Sequence, residues 1–435
     1  VTAGFREEHS MTRNRMHRIA VFALAIASCL LVCAPASSAA ADAAPPAPLK
    51  VFILAGQSNM QGHAHVRTIP AMKLDPRLVP LHDAMVDGDG TPRTCESVWI
   101  SSIGCADGEQ TGRLTAGFGA GERGPKIGPE FSFGITIARL LGEPVLLIKT
   151  SWGGKSLHTD FRPPSAGRYE FNESELEGFR KRGVDPEVAR AEKNAATGVY
   201  YRLMIEHVRK VLADIPRVVP GHDPERGYEL AGFVWFQGWN DMVDGGAYQN
   251  RDKPGGYGAY SQVFAHFIRD VRRDLDAPRL PFVIGVLGVG GPVEEYGPEQ
   301  KRYSTTHRSF REAMAAPAAM DEFKETVAAV RTEMFWDREV AALKAREATL
   351  KPELDRIRAE AKDGSRKRAE ADAAIEALYA DRFNERELVL LRDSVSNQEY
   401  HYLGSARILA AIGEAFAESA AALLKHADAS TGGPR

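Results

Sequence analysis

Cysteine is nearly absent from this chain, with four in 435 residues. Two of them, Cys29 and Cys33, lie in an apolar N-terminal segment, which leaves too few for a disulfide-built scaffold. The remaining pair, Cys95 and Cys105, has no neighbouring Cys or His at zinc-ligand spacing. That pair is open to two readings: a disulfide closing a short loop in an oxidising compartment, or two free thiols. Charge of one sign is also missing. With 55 Lys and Arg against 58 Asp and Glu the net charge is −3, so nothing marks a nucleic-acid partner. No apolar run beyond the N-terminal segment approaches the ~20 residues of a membrane-spanning helix, and no solenoid-length repeat is present. What is there suits a globular protein with a sizeable core, 44% hydrophobic and 26% charged. At this length one large α/β unit is as natural as two or three average domains.

The first 41 residues read as processing sequence rather than fold. Val1 to Ser10 is an extension ahead of Met11, and Arg13, Arg15, His17 and Arg18 make a basic stretch. Ile19 to Val32 is apolar, and Ala39-Ala40-Ala41 fits an A-x-A cleavage site. The expectation is an exported protein, periplasmic or extracellular, with residues 42–48 as a Pro-rich linker. An uncleaved anchor is the competing reading. Lipoprotein processing at Cys29, after Ile26-Ala27-Ser28, is opposed by the continuing apolar run Leu30-Leu31-Val32.

Short apolar runs recur downstream at Leu49–Ala55, Pro144–Lys149, Phe233–Phe236, Pro281–Val289 and Val327–Thr332. Amphipathic stretches alternate with them, notably Phe131–Leu141, Tyr200–Ile215 and Tyr260–Leu275. Buried strands alternating with helices predict a mostly parallel sheet covered on both faces. Ligands of such sheets bind beyond the carboxyl ends of the strands. Arg338 to Leu391 differs, being rich in Ala, Glu, Lys, Arg and Leu with heptad-like apolar steps. It reads as an inserted helical hairpin resembling a short coiled coil, kinked at Pro352 and turning at Lys362-Asp363-Gly364-Ser365. Residues 426–435 read as a disordered tail.

Chemistry-bearing blocks sit just after several of the apolar runs. Gly56-Gln57-Ser58-Asn59-Met60 puts a serine at a strand-to-helix turn, where a lone Gly-x-Ser serves equally as a helix cap. Thr150-Ser151-Trp152-Gly153-Gly154 offers backbone N–H groups at close approach, or a plain turn. Trp235-Phe236-Gln237-Gly238-Trp239-Asn240-Asp241 ends a run with two side-chain amides. Donors of both kinds suit an oxyanion. Tyr400-His401-Tyr402 precedes the amphipathic stretch Ala406–Leu424 and places a histidine where a general base toward a serine would stand. Trp152, His158, Phe161, Trp239 and Tyr402 lie near these blocks as sugar-stacking surfaces or as core.

The order of these blocks resembles the SGNH-hydrolase superfamily, within it the sialate O-acetylesterase-like branch that includes carbohydrate esterase family 6. Gly-Gln-Ser-Asn-Met after a first strand carries the likeness, with Trp235, Gln237, Gly238 and Asp241 in their spacing. The resemblance implies a flavodoxin-like three-layer α/β/α sandwich over 49–425 with the 338–391 insertion. It also implies a serine esterase that removes acetyl groups from a carbohydrate through an acyl-enzyme, with no metal or cofactor. Ser58 would be the nucleophile and His401 its base. The oxyanion hole would comprise the N–H of Ser58, that of Gly153 or Gly154, and the amide of Gln237 or Asn240. From their place beside these blocks, and not from the resemblance, Trp152, Trp239 and Tyr402 are the expected substrate contacts.

One position departs from the family pattern. An Asp usually stands three residues before the catalytic His, and here that residue is Gln398. Asp337, at the start of the insertion, is the first candidate for the acid, and also reads as a helix cap; Glu399 is the second. The departure keeps two other functions open, a weakly catalytic carbohydrate-binding protein and an acyltransferase. Oligomeric state is not legible.

Overall fold

The computed structural model describes residues 47–121 and 123–430, so the expected export signal lies outside the described residues. Seven strands form one sheet: β1 Leu49–Gly56, β2 Val98–Ile103, β3 Gln110–Arg113, β4 Val145–Ser151, β5 Tyr228–Phe236, β6 Phe282–Val286 and β7 Val327–Arg331. Their order is β3-β2-β4-β1-β5-β6-β7, and only β3 runs antiparallel to its neighbour. The run β4-β1-β5-β6-β7 has the flavodoxin-like order, with β2 and β3 added at one edge.

Strand alternation assigns the two covering layers. Phe233 and Trp235, two residues apart on β5, share one face and meet Phe267 of helix Gly258–Asp274. Phe236 points the other way, onto Phe416 of the C-terminal helix Ala406–Ser430. That helix packs along Pro129–Leu141, whose Phe133 meets Phe52 of β1. The result is a three-layer α/β/α sandwich with its core on both faces of β1 and β5. Each fully buried aromatic or aliphatic side chain there contributes about 1.5–3 kcal/mol.

Several expectations need correcting. β2 and β3 fall where a loop was expected. Of the two readings left open for Cys95 and Cys105, the free thiols hold: both are buried, Cys105 Sγ lies 3.4 Å from Ser151 Oγ, and burial pushes the Cys95 thiol up to about 11. The C-terminal helix passes the expected boundary at 425 and runs to Ser430. The inserted segment contains four helices, Arg338–Thr349, Lys351–Lys362, Arg368–Arg382 and Glu385–Asp393. Pro352 starts the second, and an Asn384–Glu387 capping box starts the fourth. The outer two helices of the four pack on each other, as do the inner two, and Val340, Leu343 and Leu390 at the base join the main core. Among the described residues no helix is long and apolar enough to cross a membrane.

Candidate active site

Three turns open side by side at the carboxyl edge of the sheet. Gly56, the last residue of β1, is in register with Ser151 of β4 and Phe236 of β5. A Cβ at Gly56 would collide with the Phe236 carbonyl, so glycine is what lets β1 and β5 run this close. Ser58 then begins the four-residue helix Ser58–Gln61, while Trp152-Gly153-Gly154 and Gln237-Gly238 leave the flanking strands. Because the chain crosses β1 to one side and later to the other, this edge is the topological switch point.

Gln57 ties two of the turns together. Its buried amide accepts from Gly238 N at 2.9 Å through Oε1 and donates to Asn240 Oδ1 at 3.0 Å through Nε2. The Gly238 N–H can only donate, which fixes the Gln57 flip and therefore turns Asn240 Nδ2 away from Gln57. Among the described residues, Asn240 Nδ2, Ser58 N and Gly153 N have no acceptor. A Cβ at Gly153 would lie 3.9 Å from the Ser58 Cβ, and Gly154 turns the chain with φ +72°. The Gly153 turn thus lies beside Ser58, and Gln57 Nε2, at 3.5 Å from Ser58 Oγ, links the serine to Asn240.

Gln237 does not join them. Its Nε2 is held by Lys155 O at 3.0 Å and Asp241 Oδ2 at 2.6 Å, and its Oε1 accepts from Tyr260 OH at 3.1 Å. Asp241 in turn receives Leu157 N at 2.7 Å, His158 N at 3.1 Å and Tyr248 OH at 2.9 Å. The motif's Gln and Asp thus hold the Lys155–His158 backbone in place behind the glycines.

The turn carrying His401 packs against the Ser58–Gln61 helix. His401 Nδ1 lies 3.0 Å from Asn397 Oδ1. Gln398 N–H donates to that same oxygen at 2.7 Å, so the atom facing His401 is the carbonyl oxygen of the amide. His401 therefore carries its proton on Nδ1 and leaves the Nε2 lone pair free to accept one. Tyr402 and Leu403 follow with φ of +52° and +60°, an unfavourable conformation for both, held by Ser396 N and Asn397 N donating to Leu403 O. His63 stacks on His401 with ring centroids 3.9 Å apart and planes 3° from parallel. Burial, then the nearby Lys126 charge, holds His401 down at about 4. Burial, then His401 and the lysines, holds His63 down at about 3. No hydrogen bond joins Ser58 Oγ to His401 Nε2 among the described residues, and such contacts commonly close around substrate.

Neither expected acid holds the imidazole. Asp337 accepts from Val340 N at 3.1 Å as a helix cap and pairs with buried Arg407 at 2.6 Å. Glu399 turns toward Gln300, and burial raises its carboxyl above the usual range. The residue that does meet Nδ1, Asn397, and the stacking partner His63 both escaped the sequence reading. The only cue was spacing, with Asn397 four residues before the histidine. Of the expected substrate contacts, Tyr402 is fully buried, its hydroxyl fixed by Gly288 N at 2.8 Å and Thr332 Oγ1 at 2.6 Å. Trp152 is half-buried against Tyr200, with centroids 5.2 Å apart. His158 and Phe161 are buried, His158 on Asp244 at 3.1 Å. Trp239 stands 5.6 Å from Tyr400 on the wall of a cavity of about 360 Å³. A larger groove, about 670 Å³, lies at the base of the insertion; neither space is lined by Ser58 or His401, but the smaller one adjoins the histidine through Tyr400, whose ring is 4.5 Å from that of His401.

Residues 48–331 match the family described as carbohydrate esterase, sialic acid-specific acetylesterase. The chain belongs to that family. Ser58, Gly153, Gln237 and Asn240 fall inside the matched region and His401 beyond it. Among solved structures it is similar to a carbohydrate acetylesterase from Xanthomonas citri, at 14% identity and a TM-score of 0.35. That match covers 65% of this chain and 50% of the other, so the aligned part spans half the length of that esterase. An Arabidopsis thaliana protein is similar at 17% identity and a TM-score of 0.34, covering 65% of this chain and 85% of its own. No curated protein sequence matches this family member.

Proposed function

We propose that the protein hydrolyses acetyl esters of a carbohydrate through an acyl-enzyme on Ser58. Ser58 Oγ attacks the acetyl carbonyl and passes its proton to His401 Nε2. The carbonyl oxygen takes the negative charge and is met by Ser58 N–H, Gly153 N–H and Asn240 Nδ2. Collapse breaks the ester bond, and the sugar alkoxide leaves with the proton from His401. Water then attacks the acyl-enzyme by the same path, releasing acetate and restoring the serine. The observation that supports this reading is that Ser58, the Gly153 turn and Asn240 meet at one sheet edge with Ser58 N, Gly153 N and Asn240 Nδ2 lacking acceptors among the described residues. Acetate release from acetylated glycans, with covalent labelling of Ser58 by a fluorophosphonate, tests it; no labelling and no release would reject it.

Asn397 takes the orienting role in this scheme and His63 stacks as a neutral ring on the imidazolium. An amide fixes the tautomer but supplies no counter-charge, which favours a second reading of sugar binding with little turnover. The pH profile separates them. Neutral His401 is required for attack, so kcat/KM should hold down to about pH 4 and fall as pH drops through that value. The depressed pKa also means that His401 contributes stability in full above 6.5, lost as pH falls from there toward 4. Asn397→Asp places a charge on Nδ1 and should move the acid limb upward by about one unit or more. Asn397→Ala should lower turnover on the order of 100-fold. An acid limb unmoved by Asn397→Asp would remove Asn397 from this role.

We also read residues 11–41 as a cleaved export signal. N-terminal sequencing of the protein recovered outside the cytoplasm should begin near Asp42; an intact Met11 start would refute it.

A further inference from the structure

The cavity beside His401 is walled by residues that flank the site on two sides in sequence. Trp239 precedes Asn240, and Glu399 and Tyr400 precede His401. Tyr400 touches both, 5.6 Å from the Trp239 ring and 4.5 Å from the His401 ring. Tyr303 and His307, stacked on each other at 5.9 Å, form part of the lining. At about 360 Å³ the space falls at the lower end of the ~300–1,000 Å³ range of small-molecule sites.

Some of its polar groups are tied to one another, Tyr296 OH to His307 Nδ1 at 2.6 Å and Arg251 Nη1 to Val243 O at 2.7 Å, and others are left open to a ligand. Among the described residues, Trp239 Nε1 and the hydroxyls of Tyr303 and Tyr400 make no hydrogen bond within the protein, and Glu399 has only Gln300. The larger groove at the base of the insertion contrasts with this: Arg77 pairs with Asp75, Arg407 with Asp337, Arg338 with Glu295 and Arg386 with Glu339. Aromatic faces with free donors along their rims match a pyranose ring, which offers an apolar C–H face and a rim of hydroxyls. Chemistry fixes which half of the ester belongs here. The proton carrier delivers its proton to the departing alkoxide, so the alcohol half lies on the His401 side of the serine.

Resting on the esterase reading, we infer that this cavity is the subsite for the sugar ring that leaves as the alcohol, with Tyr303 and Glu399 as specificity-determining residues. Tyr303 supplies a stacking face and Glu399 a hydrogen-bonding partner for a ring hydroxyl. A charged sugar is not required, since the ring needs only its C–H face and hydroxyls.

Tyr303→Ala and Glu399→Gln test the inference, with an acetylated methyl glucoside, p-nitrophenyl acetate and p-nitrophenyl octanoate as substrates. Each variant should lose at least tenfold in kcat/KM on the glucoside acetate, mainly through KM, and at least fivefold less on p-nitrophenyl acetate. Equal losses on both acetates would overturn the assignment. So would a selective loss on the octanoate, which would make the cavity an acyl-chain site. Tryptophan fluorescence of the full chain, titrated with unacetylated methyl glucoside, separates this inference from the esterase reading. A saturable change that both variants weaken supports the subsite even if no ester is cleaved. No change in the parent overturns it, whatever the fate of the ester substrates.

Discussion

Ser58→Ala is expected to cut acetate release by about 10⁴-fold or more while leaving the thermal unfolding curve in place. The two halves of that expectation come from different contacts. The hydroxyl's one polar neighbour is Gln57 Nε2 at 3.5 Å, too long for a strong bond, so little folding energy resides there. The bonds that shape the turn belong to its neighbours, from Gln57 to Gly238 and Asn240, and an alanine leaves them intact. What disappears is the atom that would bond to the acyl carbon. Residual hydrolysis would come from water attacking an ester still held by the three donors. Activity within about tenfold of the parent would show that some other group is the nucleophile.

The second large effect concerns folding. Lys149, on β4, is fully buried and surrounded by oxygens: Glu130 Oε2 at 2.7 Å, Gln61 O at 2.8 Å and Phe118 O at 2.8 Å. Glu130 in turn accepts from Gly128 N at 2.9 Å. Lys149→Met strands a carboxylate and two carbonyls in the interior, and the expected loss is about 3–5 kcal/mol of unfolding free energy. Adding Glu130→Gln removes the stranded charge and should recover part of that loss, so a double-mutant cycle by chemical denaturation separates the pair from its surroundings. A single-variant loss below about 1 kcal/mol would mean that the site relaxes or admits water. Because Gln61 O ends the helix that Ser58 begins, the same substitution should also lower turnover in whatever fraction remains folded.

Most of the sheet was legible because its central strands are buried on both faces and therefore appear as continuous apolar runs. β2 was not, since Ser101 and Ser102 interrupt Val98–Ile103 and only the fold shows them buried, with Ser101 on His207 and Glu109. The short edge strand β3, Gln110–Arg113, has a polar sequence indistinguishable from a loop. That Ser58, Gly153 and Asn240 meet at one edge was legible because each lies within a few residues of a strand end. The partner of His401 was not. Carboxylates at 337 and 399 suggested themselves by chemistry, whereas two consecutive left-handed residues fold the chain so that position 397 meets the ring. No local pattern announces Tyr402 or Leu403 in that conformation. The break at Phe383 within the insertion did have a signal, Asn384 with Glu387 three residues on, and it was overlooked.

The histidine turn is anchored less to the strand that precedes the insertion than to the segment following the serine. Ser396 Oγ receives His65 N at 3.0 Å and donates to Gly404 O at 2.6 Å, and Arg67 reaches Arg392 O at 2.6 Å and Val395 O at 2.5 Å. Chain length between β7 and residue 392 is thereby uncoupled from where the imidazole sits. Loop closure grows in cost only with the logarithm of length, about 0.6 kcal/mol per doubling. Length changes toward the tip of the insertion, away from Val340, Leu343, Leu390 and Arg392, therefore leave the imidazole in place. Residues 363–367, at the turn between the insertion's two arms, are a natural graft point where a reporter or a second module would ride clear of the sheet edge that carries Ser58.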